Sequence, residues 1–219
     1  MAFPVYVFDA YGTLFDVHAA VRRYADQIGP DGARLSQIWR DKQLEYSWVR
    51  ALSGRYKDFW QLTEDALDTA FALVPSVDRA YRDDLLTAYS KLDCYPEVPA
   101  VLRTLSESGA KLAILSNGSP DMLEGAVEAA GIGPLLDAVL SVDVLKTYKS
   151  HPDVYEMVSS QFRTFPETVS FQSSNRWDIA GATAFGFRTV WINRAGMPDE
   201  YLDLSPAAVL TSLDGLTAL

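Results

Sequence analysis

One cysteine, two histidines and a shortage of basic residues narrow what this 219-residue chain can be. Cys94 alone allows no intrachain disulfide, so the fold must rest on its core, and a reducing cytoplasm is the expected compartment. Lys and Arg number 19 against 29 Asp and Glu, a net charge of −10 that argues against a nucleic-acid partner. A small anionic substrate stays open, because one buried Lys or Arg matters more to it than the global sum. No uncharged apolar run approaches the roughly 18 residues of a membrane span, so no membrane partner is expected. The opening MAFPVYVFD has no basic stretch and meets a carboxylate at Asp9, which does not suit a signal peptide. There is no internal repeat and no low-complexity tract. At 48% hydrophobic and 22% charged residues, the chain has the composition of a globular protein with one substantial core.

Short apolar, β-branched runs recur: VYVF at 5–8, KLAIL at 111–115, AVLSV at 138–142, TVSF at 168–171 and RTVWI at 188–192. Helical periodicity separates several of them. Val98, Val101, Leu102 and Leu105 repeat at i, i+3, i+4 and i+7 before Gly109, and Val154, Met157 and Val158 do so before the run at 168. Strands alternating with helices predict a Rossmann-like, doubly wound parallel sheet of α/β class. One gap breaks the alternation. Residues 16–93 contain no convincing strand but long helical stretches such as LSQIWRDKQLEYSWVRAL at 35–52, far more than a crossover needs. The chain is therefore expected to divide into a core, residues 1–15 and 94–219, and an inserted helical cap, residues 16–93.

Ligands of such sheets lie beyond the carboxyl ends of the strands, so the residues after each strand are the informative ones. They are Asp9 with Ala10, Tyr11, Gly12 and Thr13; Ser116–Asn117–Gly118–Ser119; Lys149; and Ser173–Ser174–Asn175–Arg176–Trp177–Asp178. Each alone has an ordinary reading: an Asp after a strand caps turns, Ser-Asn-Gly is a common loop, and a lone Lys is usually solvated. Two carboxylates, a hydroxyl–amide pair and an ammonium on one rim are a different matter.

The segments FDAYGTLFD, ILSNGS, YKSHPDVY and SSNRWDIAGA, in this order, resemble the four motifs of the haloacid dehalogenase superfamily, and more narrowly the L-2-haloacid dehalogenases. The resemblance runs from residue 5 to about 194 and includes the cap segment IWRDKQLEYSWVR. Most members of that superfamily are Mg²⁺-dependent phosphatases, with a second Asp as general acid two residues after the first and a further acidic metal ligand. Here Tyr11 and Ser173 stand at those positions. A phenol, with an ordinary pKa of about 10, is a poor acid at neutral pH, and Mg²⁺ favours carboxylate ligands. Halide departs as an anion and needs neither.

The resemblance implies metal-independent hydrolysis of short (S)-2-haloacids to (R)-2-hydroxy acids and halide, with no cofactor, through an ester formed on Asp9. It assigns Lys149 as counter-charge to Asp9, Thr13 as its hydrogen-bond partner, and Asp178 to orient Lys149 and the hydrolytic water. Tyr155, Ser173 and Asn175 support that network. Ser116 and the backbone amides of Ala10 and Tyr11 would cradle the substrate carboxylate; Arg40 from the cap, with Asn117 and Trp177, would cradle the halide. His18 and His151 have no part in it. A phosphatase with a rebuilt metal site, or a hydrolase of another small C2-activated acid, are the competing activities. The family also implies a homodimer.

Overall fold

The computed structural model describes residues 3–219. Six parallel strands form one sheet in the order β3-β2-β1-β4-β5-β6: β1 (Val5–Phe8), β2 (Lys111–Ser116), β3 (Ala138–Ser141), β4 (Val169–Ser173), β5 (Arg188–Ile192) and β6 (Ala208–Leu210). The anticipated runs fall within one or two residues of the observed strands. Val142 leaves its strand to open a 3₁₀ turn, while β4 extends to Ser173. The three-residue edge strand β6 was not anticipated. All four residues of β1 are buried, as expected of a strand between β2 and β4 and covered on both faces.

Four core helices connect the strands: α6 (Val98–Glu107), α7 (Pro120–Ala130), α8 (Pro152–Phe162) and α9 (Arg176–Phe185). Their starts and stops follow local chemistry. Pro99, Pro120 and Pro152 lie in the first turns of α6, α7 and α8, where a missing N–H costs nothing. The His151 side chain accepts the Asp153 amide and so caps α8, which gives it a structural task.

Between β1 and α6 the chain forms the helical cap: α1 (Ala19–Arg22), α2 (Ala25–Ile28), α3 (Gly32–Ser53), α4 (Phe59–Leu73) and α5 (Arg82–Tyr89). Helix α3 packs along α4, and the indole Nε1 of its Trp39 donates to the Thr63 carbonyl at 2.8 Å. Its inward stripe is unusually polar. Ser36, Gln43 and Ser47 are buried there, and Arg40 shares their helical spacing. These groups are satisfied locally: Ser36 meets His18, Gln43 meets Thr63 and Tyr89, and the Ser47 hydroxyl donates to the Leu44 carbonyl. Cap and core meet where two linkers pair: Phe15 bridges Cys94 in antiparallel fashion, and the Asp16 amide donates to the Asp93 carbonyl at 3.1 Å.

Candidate active site

The site begins where β1 ends. Immediately after Phe8 the chain turns so that the Ala10 carbonyl accepts the amides of Thr13, Leu14 and Phe15. Gly12 makes this possible at φ +94°, a conformation closed to most side chains. The tight turn brings Thr13 back over Asp9, and its hydroxyl donates to Asp9 Oδ2 at 2.9 Å. That hydroxyl in turn accepts the Ser174 amide at 2.8 Å. The amides of Ala10 and Tyr11 donate to no group among the described residues, so both remain available at the end of the strand.

Asp9 is buried and takes three side-chain hydrogen bonds. Besides Thr13, the Asn175 amide nitrogen reaches Oδ2 at 2.8 Å and Lys149 Nζ reaches Oδ1 at 2.9 Å. The Lys149 ammonium also lies 2.8 Å from Asp178 Oδ2, and neither of these two side chains has any exposed surface. Tyr155, itself fully buried, donates its phenol to Asp178 Oδ1 at 2.9 Å. Gly181 makes room for this contact: a Cβ there would fall 2.4 Å from the Tyr155 hydroxyl.

Burial works against the Lys149 ammonium, yet the charges of Asp178 and Asp9 outweigh it and raise its pKa above the usual lysine value. For Asp178, burial pushes the carboxyl up to about 6; the Asp9 charge adds to this and Lys149 opposes it. The Tyr11 phenol, buried and stacked on Tyr89 with ring centroids 5.8 Å apart, is pushed well above its ordinary value by that burial and by its neighbour. It is no proton donor. Among the described residues no group of three or more His, Cys, Asp or Glu side chains is placed to hold a metal ion.

Arg40 descends from α3 onto this rim. Its Nη2 donates to the Tyr11 carbonyl at 3.1 Å and to Asn175 Oδ1 at 3.4 Å, while Nη1 is held by Gln43 Oε1 at 2.7 Å. Gln43 is locked from its other end by Thr63 and Tyr89. Asn117 accepts the Lys149 backbone amide through Oδ1 at 3.0 Å. The Ser116 hydroxyl accepts the Gly118 amide, which leaves its own proton free to be donated. Ser173 makes no side-chain hydrogen bond to Asp9; its hydroxyl accepts the Asn175 amide and shapes the turn that presents Asn175. Trp177 is the expected residue least drawn in. It makes an edge-on contact with Trp48 of α3 at 5.6 Å, at the seam between cap and core, with no hydrogen bond from its indole. Gln43 and Tyr89 had not been anticipated, and neither side chain carries a sequence signal beyond being a polar residue in a helix.

A carboxylate fixed by three donors, beside a doubly paired ammonium and a second carboxylate, is suited to attack on carbon and then to water activation. A family model described as haloacid dehalogenase-like hydrolase matches residues 3–186. (S)-2-haloacid dehalogenase 1 of Pseudomonas sp. (strain CBS-3) is 48% identical over 97% of this chain and 94% of its own length. (S)-2-haloacid dehalogenase 4A of Burkholderia cepacia is 48% identical over 89% and 85%. A solved structure of L-2-haloacid dehalogenase from Xanthobacter autotrophicus, with chloropropionic acid covalently bound, is 36% identical with a TM-score of 0.88, covering 99% of this chain and 98% of that one.

The buried triad makes a stability prediction. Lys149→Met leaves two buried carboxylates without their cation and should cost about 3–5 kcal/mol of unfolding free energy at neutral pH, read by urea denaturation. A carboxyl whose folded pKa lies above its unfolded value stabilises the fold as pH falls, so the deficit should shrink on acidification. A variant as stable as the parent at pH 7 would show that the ammonium is not what holds the two carboxylates together.

Proposed function

The chain belongs to the haloacid dehalogenase-like hydrolases, and we propose that within them it hydrolyses short (S)-2-haloacids to (R)-2-hydroxy acids and halide without a metal ion. The observation that carries this reading is Lys149 Nζ at hydrogen-bond distance from both Asp9 and Asp178, a positive charge lying between the two carboxylates. The names of the two relatives, and the chloropropionic acid covalently bound in the Xanthobacter autotrophicus structure, support the same chemistry.

In the first step an Asp9 oxygen attacks C2 of the substrate from the side opposite the carbon–halogen bond. The C–X electron pair leaves with the halide, and C2 becomes bonded to Asp9 as an ester. The substrate carboxylate lies on the Ser116 hydroxyl and the Ala10 and Tyr11 amides, because a buried anion needs donors. The departing halide is received by Arg40 and Asn117 and bordered by Trp177. Arg40 suits this role: a planar, permanently charged guanidinium held at one end by Gln43. In the second step water, oriented by Asp178, attacks the carboxyl carbon of the Asp9 ester and releases the 2-hydroxy acid. Thr13 and Asn175 hold the nucleophile, Tyr155 holds Asp178, and Ser173 holds the Asn175 turn. C2 is displaced once, so its configuration inverts.

The division into a core of residues 1–15 and 94–219 and a cap of residues 16–93 fits the paired linkers at Phe15 and Cys94. A homodimer is supported by an apolar stripe on α3, where Val49 is 57% and Leu52 90% exposed beside Trp48. A cytoplasmic location fits the lone Cys94; no helix among the described residues is long and apolar enough to cross a membrane.

The direct test is halide release from chloro-, bromo- and fluoroacetate and L-2-chloropropionate, with and without EDTA, followed by single turnover in ¹⁸O-water. Release unaffected by EDTA and label appearing first in Asp9 are expected; activity lost to EDTA and restored by Mg²⁺ would overturn the reading. On the halide side, Arg40→Ala should lower kcat by on the order of 10²–10³, the usual worth of one donor to developing charge, with less effect on KM. L-2-chloropropionate should yield D-lactate. Racemic lactate, or an unchanged kcat for the variant, would remove Arg40 from the halide site.

Acid should act on the free enzyme first. With the Asp178 carboxyl pushed up to about 6, kcat/KM should fall as pH drops through that value, since it reports groups of the free enzyme. Esterification neutralises Asp9 and removes one of the charges that raise Asp178. The acid limb of ester hydrolysis, measured by single turnover, should therefore lie at lower pH than that of kcat/KM. Coincident limbs would assign the titration to a group outside this pair.

A further inference from the structure

Both linkers of the cap are gripped by one core arginine. The outgoing linker follows Thr13 and the returning one reaches the core through residues 93–97, the two joined by the Phe15–Cys94 bridge and by the Tyr95 amide donating to the Leu14 carbonyl at 2.9 Å. Arg194, two residues beyond β5, places its guanidinium over the Tyr95 ring, 3.7 Å from the centroid. Its Nη2 lies 2.6 Å from Glu97 Oε1 and donates to the Thr13 carbonyl at 2.9 Å. The ion pair is largely enclosed, with side chains 16% and 11% exposed. Arg194 Nε is buried without a hydrogen-bond partner, so the guanidinium holds this pose although one donor goes unused.

We propose that Arg194 is a positioning residue for the nucleophile and acts through Thr13. The inference rests on Asp9 being the nucleophile. Thr13 performs two tasks that conflict. Its hydroxyl must stay fixed between Asp9 Oδ2 and the Ser174 amide, 2.9 and 2.8 Å away, yet it lies only two residues before the bridge where the cap is attached. Any displacement of the cap pulls on that backbone. By binding the Thr13 carbonyl from the core side, Arg194 isolates the hydroxyl from the linker. Glu97 fixes the guanidinium from the returning linker and also accepts the Leu213 amide at 3.4 Å. An ammonium could meet the same two oxygens but not do all of this: Nη2 reaches both Thr13 and Glu97 while the planar face of the guanidinium covers Tyr95.

A staple that merely joined the two linkers would affect stability and leave the chemistry of each folded molecule unchanged. The test is a double-mutant cycle of Arg194→Met and Thr13→Val in the full chain, reading single-turnover halide release from saturating L-2-chloropropionate per folded molecule. Arg194→Met should slow this step by on the order of tenfold, with KM scarcely moved, and Arg194→Lys should recover part of the loss. In the Thr13→Val background the same change should cost less than about twofold, because the hydroxyl it positions is gone. Equal losses in both backgrounds would overturn the proposal. If Arg194→Met fails to fold, Glu97→Gln enters the cycle in its place, with the same non-additivity expected. A second readout needs no turnover: the ¹³C shift of the Asp9 carboxyl in the substrate-free Arg194 (or Glu97) variant should move toward its value in Thr13→Val, and an unmoved shift counts against the proposal. A parent chain that released no halide would overturn the proposed function, while the shift would still decide the role of Arg194.

Discussion

A lysine side chain with no exposed surface, held between two carboxylates, is the constraint around which this molecule is arranged. An ammonium removed from water costs several kcal/mol, and only close, well-directed partners offset that cost. The partners come from distant parts of the chain: Asp9 from the end of β1, Asp178 from the first turn of α9, Lys149 from the loop before α8. Getting three such groups within hydrogen-bond distance requires parallel strands whose carboxyl ends share one rim. The fold is thus a condition for the charge arrangement.

Secondary supports follow from the same demand. Asp178 has a free lone-pair face once Lys149 is bound, and Tyr155 fills it; Tyr155 needs the space that only Gly181 leaves. On the opposite side the site is closed by Arg40, whose three acceptors belong to the cap itself, to the first turn after β1 and to the turn after β4. The contacts of this one guanidinium therefore join cap and core.

Much of this was legible in the sequence, and what was legible has a common cause. Asp9, Ser116 and Asp178 follow apolar runs long enough to be read as strands, so their place on the rim followed from topology alone. Lys149 was on the same rim by topology, but its role, like the relevance of Arg40, drew on resemblance, since neither a lone Lys nor an Arg in a helix announces itself. Gln43, Tyr89 and Arg194 were not readable. Gln43 looks like any solvent-facing residue of α3, and its burial depends on how α3 packs against α4 and α5. β6, with three residues, is too short for periodicity to reveal. Trp177 was named from its motif alone, and its edge-on contact with Trp48 of the cap could not be known from that motif.

The paired linkers also bear on how the chain reaches this state. β1 ends at Phe8 and its neighbour β2 begins at Lys111, so the central pair of strands must close a loop of roughly 100 residues. The cap helices make mainly local contacts and can form early. Once they do, the Phe15–Cys94 bridge holds both ends of the cap together, and the open loop falls to about a quarter of that length. The entropy saved is on the order of 1 kcal/mol, a several-fold gain in the rate of pairing if the bridge precedes it. An insertion that lengthens the chain between two neighbouring strands thus becomes, through its own closed base, a device that brings those strands together.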